Sequence, residues 1–178
     1  MLQVAIFLGG VFFWTFLEYT IHRFLGHKPK GRMEFTKEHL RHHREGHYFA
    51  PFYKKVIGAF IILGLTTLLF ALPFGILNGF VFSFGVISMY LVYEVVHKRA
   101  HTHAPPHGYA AYLRKHHFYH HFRNPEMNHG VTSPVWDMVF RTYAKVDTVP
   151  VPKRMALKWL LDEEGALKND FVGDYQLI

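Results

Sequence analysis

The chain contains no cysteine, which excludes a disulfide framework and any thiolate metal site. A metal bound here must be held by nitrogen and oxygen, and 15 histidines supply the nitrogen. Charge is also missing from long stretches. Residues 1–21 and 56–96 contain no Lys or Arg, and residues 1–17 and 56–93 carry no charge of either sign. All 20 basic residues, and every His, fall in 22–55 and 97–178. A nucleic-acid binder would carry its basic residues as a stripe on a soluble domain. Here two apolar blocks are cut cleanly from two basic ones, which is the pattern of a membrane protein under the positive-inside rule. The length of 178 residues suits one domain, with no solenoid repeat.

The apolar blocks predict about three membrane helices, one alone and two in a hairpin. Residues 2–21 have the length of a span. They lack the basic n-region and small-residue cleavage site of a signal peptide. Residues 56–96 are too many for one crossing, and "LPFGILNG" at 72–79 carries Pro, Gly and Asn that punctuate a turn. The pattern therefore predicts helices over about 56–72 and 79–97, each slightly short for a full span and so suited to a thinned or partly traversed leaflet. Residues 22–55 and 97–178 then share one membrane face, forming a cap that the basic residues place in the cytoplasm, with the N-terminus outside. Within the cap, 34–52 reads as a helix ended by Pro51, 109–123 as a second helix, and 151–168 as an amphipathic helix on the membrane surface. The fold class expected is all-α.

Four histidine motifs lie in the cap: His22-x4-His27, His39-x2-His42-His43, His97-x3-His101 and His117-x2-His120-His121. Residues three and four apart share a helix face, so each H-x2-HH box is expected to point its three rings one way. His22 and His27, five apart, fit one straight face poorly, which predicts a helix break near Gly26 and a return of His27 from a loop. Neutral imidazole is a good ligand for iron, zinc, copper and nickel. Ten imidazoles exceed what one ion uses and suit two ions with about five each. Two redox-active ions close together can bind and reduce dioxygen. His47, His103, His107 and His116 fall outside the spacing and read as surface, lip or supporting residues, and His129 as a supporting residue in a tight loop.

A ligating histidine usually gives its other ring proton to a carboxylate or carbonyl. Glu18 lies four residues before His22, and Glu94 three before His97, each near the end of an otherwise uncharged helix. Both are expected to orient metal ligands, with ion pairs to Arg23 or Arg99 as the competing reading. The substrate is expected to be a lipid entering from the bilayer. Phe118, Tyr119 and Phe122 read either as lining its path or, more simply, as packing the cap.

The segments "FFWTFLEYTIHRFLGH", "HLRHH", "YEVVHKRAH", "HHFYHHF" and "GVTSPVWDMVFRT" resemble the fatty acid hydroxylase superfamily, which includes membrane sterol desaturases and fatty acid 2-hydroxylases. The resemblance runs from about residue 10 to 143, and its last segment contains no metal motif, so it is independent of the histidines. The eukaryotic fatty acid 2-hydroxylases generally have four membrane helices, whereas three are read here. The resemblance implies a non-haem di-iron site, which zinc can occupy after purification. It implies dioxygen as co-substrate and electrons from a cytochrome b5 or ferredoxin-type donor. The implied reaction is hydroxylation or desaturation at an unactivated C–H bond of a fatty acyl chain or sterol. The implied ligands are His22, His27, His39, His42, His43, His97, His101, His117, His120 and His121. Beta-carotene hydroxylases are the nearest rival, but their third motif is longer than the H-x3-H found here.

Two other classes explain less. A metal carrier or store needs polar or ionisable residues at membrane depth, and the apolar blocks offer no charge. A structural zinc site needs four ligands rather than ten.

Overall fold

A computed structural model describes residues 1–178. Helix α1 (Leu2–Thr20) continues as a π-helical stretch, Ile21–His27. Then follow α2 (Glu34–Arg44), α3 (Phe52–Phe74), α4 (Ile76–Thr102), α5 (Tyr109–Phe122) and the short α6 (Val135–Val139). Two three-residue strands, β1 (Val149–Val151) and β2 (Tyr175–Leu177), complete the chain. The residues divide into two compact units, Met1–Glu18 with Ala50–Val95, and Tyr19–Phe49 with Val96–Ile178.

The first unit is built from the three apolar helices, each long and apolar enough to cross a membrane. Helices α3 and α4 run to 23 and 27 residues. At about 1.5 Å per residue both exceed the roughly 30 Å of a hydrocarbon core. They are longer than the sequence pattern predicts, which removes the reason for a thinned leaflet. The turn is tighter than expected because Pro73 is absorbed in the last turn of α3, and only Gly75 stands between the helices, at φ +84°. The Asn78 amide of α4 donates to the Phe74 carbonyl (2.7 Å), so an end-of-helix acceptor is satisfied.

Helices α1 and α4 touch backbone to backbone. A Cβ placed on Gly10 would lie 2.0 Å from the Phe82 carbonyl oxygen, and one on Gly85 would lie 2.1 Å from that of Phe7. Small residues permit such approach where packing, not water exclusion, drives helix association. Trp14, Phe82, Val86 and Tyr90 form the buried centre of this unit. The Thr66 hydroxyl bonds Ser83 Oγ (2.8 Å) between α3 and α4. Glu94 accepts a hydrogen bond from Lys55 Nζ, so its ionic partner is not the Arg99 that local spacing proposed. Lys55 is 39 positions away, beyond the reach of a spacing argument.

The second unit packs α5 against β1, β2 and the turns between them. Phe118, Leu160, Val149 and Val151 are fully buried, with Trp159 and Tyr175 beside them. Phe118 is therefore a core residue, and Phe122 packs on the same cluster. The tail is not the amphipathic helix expected over 151–168. It forms two 3-10 turns, at Lys153–Met155 and Lys158–Leu160, and a Leu161–Leu167 antiparallel bridge. The bridge closes through Asp162 and Gly165, the glycine at φ +78°. Its apolar residues go into the unit's own core because β1 pairs in parallel with the distant β2, Val149 opposite Tyr175. Helix α2 also stops earlier than expected, at Arg44, and Pro51 precedes α3 instead of ending α2.

Candidate metal centre

The second unit gathers the ten motif histidines into two groups of five. His22, His27, His39, His43 and His120 form one, and His42, His97, His101, His117 and His121 form the other. Within each group one nitrogen from every ring lies within 4.8 Å of all the others. The groups adjoin through His43 and His121, whose rings stack at 4.0 Å and 7°.

Helix geometry explains the partition, and it differs from the expectation that each H-x2-HH box points one way. Successive residues turn by about 100° on an α-helix, so positions i and i+4 align while i+3 falls on the other side of the stripe. His39 and His43 accordingly join the first group while His42 joins the second. On α5, His117 and His121 join the second and His120 the first. Each box contributes to both clusters.

The first motif uses a different device. A π-helix closes i to i+5, so its wider turn brings residues five apart to one side. Across Ile21–His27 this places the His22 and His27 rings at 5.4 Å without the break and returning loop expected near Gly26. Gly26 has another role. A Cβ there would sit 3.0 Å from His39 Cδ2 and 3.2 Å from its Nε2, so the missing side chain is the space His39 occupies.

In the first cluster four Nε2 atoms form a closed ring. His27–His39 are 2.9 Å apart, His39–His43 3.0 Å, His43–His120 3.2 Å and His120–His27 3.0 Å. Two nitrogens at right angles on an ion about 2.1 Å away are separated by about 3.0 Å, whereas a tetrahedral ion would spread them to about 3.4 Å. His120 Nδ1 donates to the Met127 carbonyl (2.8 Å) and His22 Nδ1 to the His129 carbonyl. A carbonyl only accepts, so Nδ1 carries the proton and Nε2 presents a lone pair to the cluster. The buried His22 Nε2 has no protein partner. In the second cluster His101 and His117 bring their Nε2 atoms to 3.1 Å. His42 Nδ1 donates to the Tyr48 carbonyl (2.7 Å), and neither ring nitrogen of the buried His121 has a protein partner. Five converging imidazoles in each cluster, with the Nε2 lone pairs of His22, His120 and His42 turned inward, fit a metal cation in each.

Burial sets their protonation. Desolvation holds His39, His43, His117, His120 and His121 well below the ordinary histidine range, with neighbouring rings adding to the shift. They are neutral at neutral pH, the form that ligates metal.

The supporting residues lie around the clusters. His129 serves through its backbone carbonyl, on His22. Glu18 is buried at the end of the first unit. His116 is buried at 1% exposure, with Nε2 3.0 Å from Asp137 Oδ2. Asp137 itself carries no spacing signal, and only the "WD" segment draws attention to it. It is fully buried and accepts four bonds, from the His129 and Gly130 amides, the Thr142 hydroxyl and His116. Burial alone would raise its carboxyl, but the bonds from His116 and the two amides outweigh it and hold the group below the usual carboxylate range.

Comparison with known proteins agrees with this architecture. The fatty acid hydroxylase family model matches residues 7–142. A mouse (Mus musculus) fatty acid 2-hydroxylase is 30% identical over 83% of this chain and 41% of its own length. The ceramide very long chain fatty acid hydroxylase of Saccharomyces cerevisiae is 33% identical over 80% and 38%. The dihydroceramide fatty acyl 2-hydroxylase of Arabidopsis thaliana is 33% identical over 75% and 58%. The chain thus spans about two fifths to three fifths of the length of these relatives. The visible hydroxylase domain of full-length scs7p superposes with a TM-score of 0.64 at 29% identity, covering 81% of this chain and 57% of that one. With a match across most of its length, including the segment that contains no metal motif, the chain belongs to the fatty acid hydroxylase family.

Proposed function

We propose that the chain is a membrane oxygenase that hydroxylates a C–H bond of a lipid acyl chain, with one iron ion in each five-histidine cluster. The observation that carries this reading is the pair of clusters itself, ten imidazoles in two converging sets of five. A structural zinc site leaves most of them without a role. Relatives named for fatty acids and ceramides support an acyl chain over a carotenoid ring or a sterol, and hydroxylation over desaturation.

When bound, the two ions supply the redox chemistry that activates dioxygen. The chain supplies the rest. His22, His27, His39, His43 and His120 hold one ion, and His42, His97, His101, His117 and His121 the other. Backbone carbonyls of His129, Met127 and Tyr48 fix the His22, His120 and His42 rings so that Nε2 faces inward. Burial keeps the rings unprotonated and water out. Overall, one C–H bond is replaced by C–OH, the second oxygen atom leaves as water, and two electrons and two protons enter. The electrons come from an external donor of cytochrome b5 or ferredoxin type, and zinc replaces iron in protein purified without it. The histidine clusters face the cytoplasm and the N-terminus lies outside, a placement supported by the confinement of Lys and Arg to 22–55 and 97–178.

Iron-loaded protein in lipid vesicles, given a ceramide, a chemical reductant and isotopically heavy dioxygen, tests the reading by mass spectrometry. A product carrying one heavy oxygen is expected. A product short of two hydrogens would overturn hydroxylation in favour of desaturation. An unchanged lipid beside a hydroxylated carotenoid control would overturn the acyl substrate.

A further inference from the structure

The segment between α5 and α6 has a job that the ten ligands do not reveal. Two of the five rings in the first cluster rest on it, His120 through the Met127 carbonyl and His22 through the His129 carbonyl. In the second cluster, His42 rests on the Tyr48 carbonyl, outside this segment. The segment is short and rich in Gly, Pro and Asn, so something must hold its carbonyls in place.

That something is largely one carboxylate. Asp137 Oδ1 accepts the His129 amide (2.8 Å) and the Thr142 hydroxyl (2.8 Å), and Oδ2 accepts the Gly130 amide (2.8 Å) and His116 Nε2 (3.0 Å). A Cβ on Gly130 would lie 2.0 Å from the Ser133 carbonyl oxygen and 3.1 Å from Asp137 Oδ2, so the backbone has closed onto the carboxylate. Asn128, at φ +59°, adds a second anchor by bonding the Thr142 carbonyl and both polar groups of the Ala144 backbone. Thr142 is in turn in contact with Tyr19 Oη (3.0 Å), which accepts from Arg23.

We infer that Asp137 is the positioning residue of the first metal cluster: it clamps the 127–130 backbone whose carbonyls aim His22 and His120, and it acts on that cluster selectively. His116, adjacent to a ligand yet outside both clusters, serves the clamp and not a metal. Asp137 touches no ion and no substrate. Its removal loosens the aim of two ligands out of five in one cluster and none in the other.

The inference rests on the reading of two metal clusters, and the experiment separates the two. Detergent-purified chain is loaded with zinc and the bound metal counted, alone and as Asp137→Asn, which preserves shape but replaces one acceptor by a donor. Wild type is expected to hold two ions, and Asp137→Asn to keep one while the other binds about tenfold more weakly or worse. Adding His120→Ala to Asp137→Asn should weaken that same ion further and leave the other unchanged, whereas adding His121→Ala should remove the other ion. Wild type with fewer than two ions fails the metal reading itself. Wild type with two and Asp137→Asn with two of unchanged affinity overturns the positioning role, as does equal loss from both clusters in a folded variant. Should Asp137→Asn not fold, Thr142→Val removes a single donor to the carboxylate. Faster release of one ion to a chelator, with the other unchanged, supports the clamp. Equal release of both, or of neither, overturns it.

Discussion

At the scale of single residues, Gly26 and the buried histidines give the sharpest consequences. Gly26→Ala puts a methyl group into the space of the His39 ring, 3.2 Å from its Nε2. The variant should fold normally but hold only one ion of the two, which metal analysis beside a melting curve would show. A change in melting temperature with both ions retained would count against the steric role. The histidines also make the metal-free protein acid-sensitive. Burial lowers His129 from about 6.5 to about 4, and holds His39, His43, His117, His120 and His121 well down. The unfolded chain then binds more protons than the folded one, so stability falls with falling pH. The loss should begin near pH 6.5, where the unfolded histidines titrate, and continue toward pH 4. Thermal melts of chelator-treated protein across that window test this, and a flat profile would contradict it. The clustering histidines were legible in the sequence because histidine at helical spacing is rare. Asp137 was not, because a lone buried aspartate has no local pattern and its partners lie up to 21 positions away.

At the scale of elements, the packing of α1 on α4 depends on two glycines. Gly85→Ala would bring a methyl group 2.1 Å from the Phe7 carbonyl oxygen, so the helices must separate. A loss of about 1–3 kcal/mol is expected, as for other overpacked cores. Gly58→Ala on α3, where a Cβ meets nothing within 4 Å, is the matched control and should cost little. Unfolding both in mixed detergent compares them directly. The hydrophobic runs announced these helices, but not their ends. Pro73 and Asn78 read as a broad turn, yet a proline in a last helical turn and a side chain bonded back to Phe74 leave only Gly75 outside the helices. The π-helical stretch was equally hidden, since a five-residue histidine spacing looks wrong for a regular helix and fits only the wider turn. The tail misled because Leu157, Trp159, Leu160 and Leu161 mimic an apolar stripe. Leu157, Trp159 and Leu160 share a core with Tyr175, whose strand pairs with Val149–Val151 from far along the chain, and pairing at that distance leaves no periodic trace.

At the scale of the whole molecule, three apolar helices and a histidine-rich unit make a membrane protein of the fatty acid hydroxylase family. An ion in each cluster would tie α2, α5, the π-helical stretch and the last turns of α4 together, so metal removal should lower the melting temperature of the second unit's signals well before those of the apolar helices change. The central claim is that each H-x2-HH box feeds both clusters and that each cluster holds one ion. Metal content per chain tests it most directly, on iron-loaded wild type, His120→Ala and His121→Ala. The account predicts two ions in wild type and one in each variant, with the double variant holding none. A single ion in wild type lost by both variants alike would contradict it, because one shared site cannot divide neighbouring histidines between two clusters.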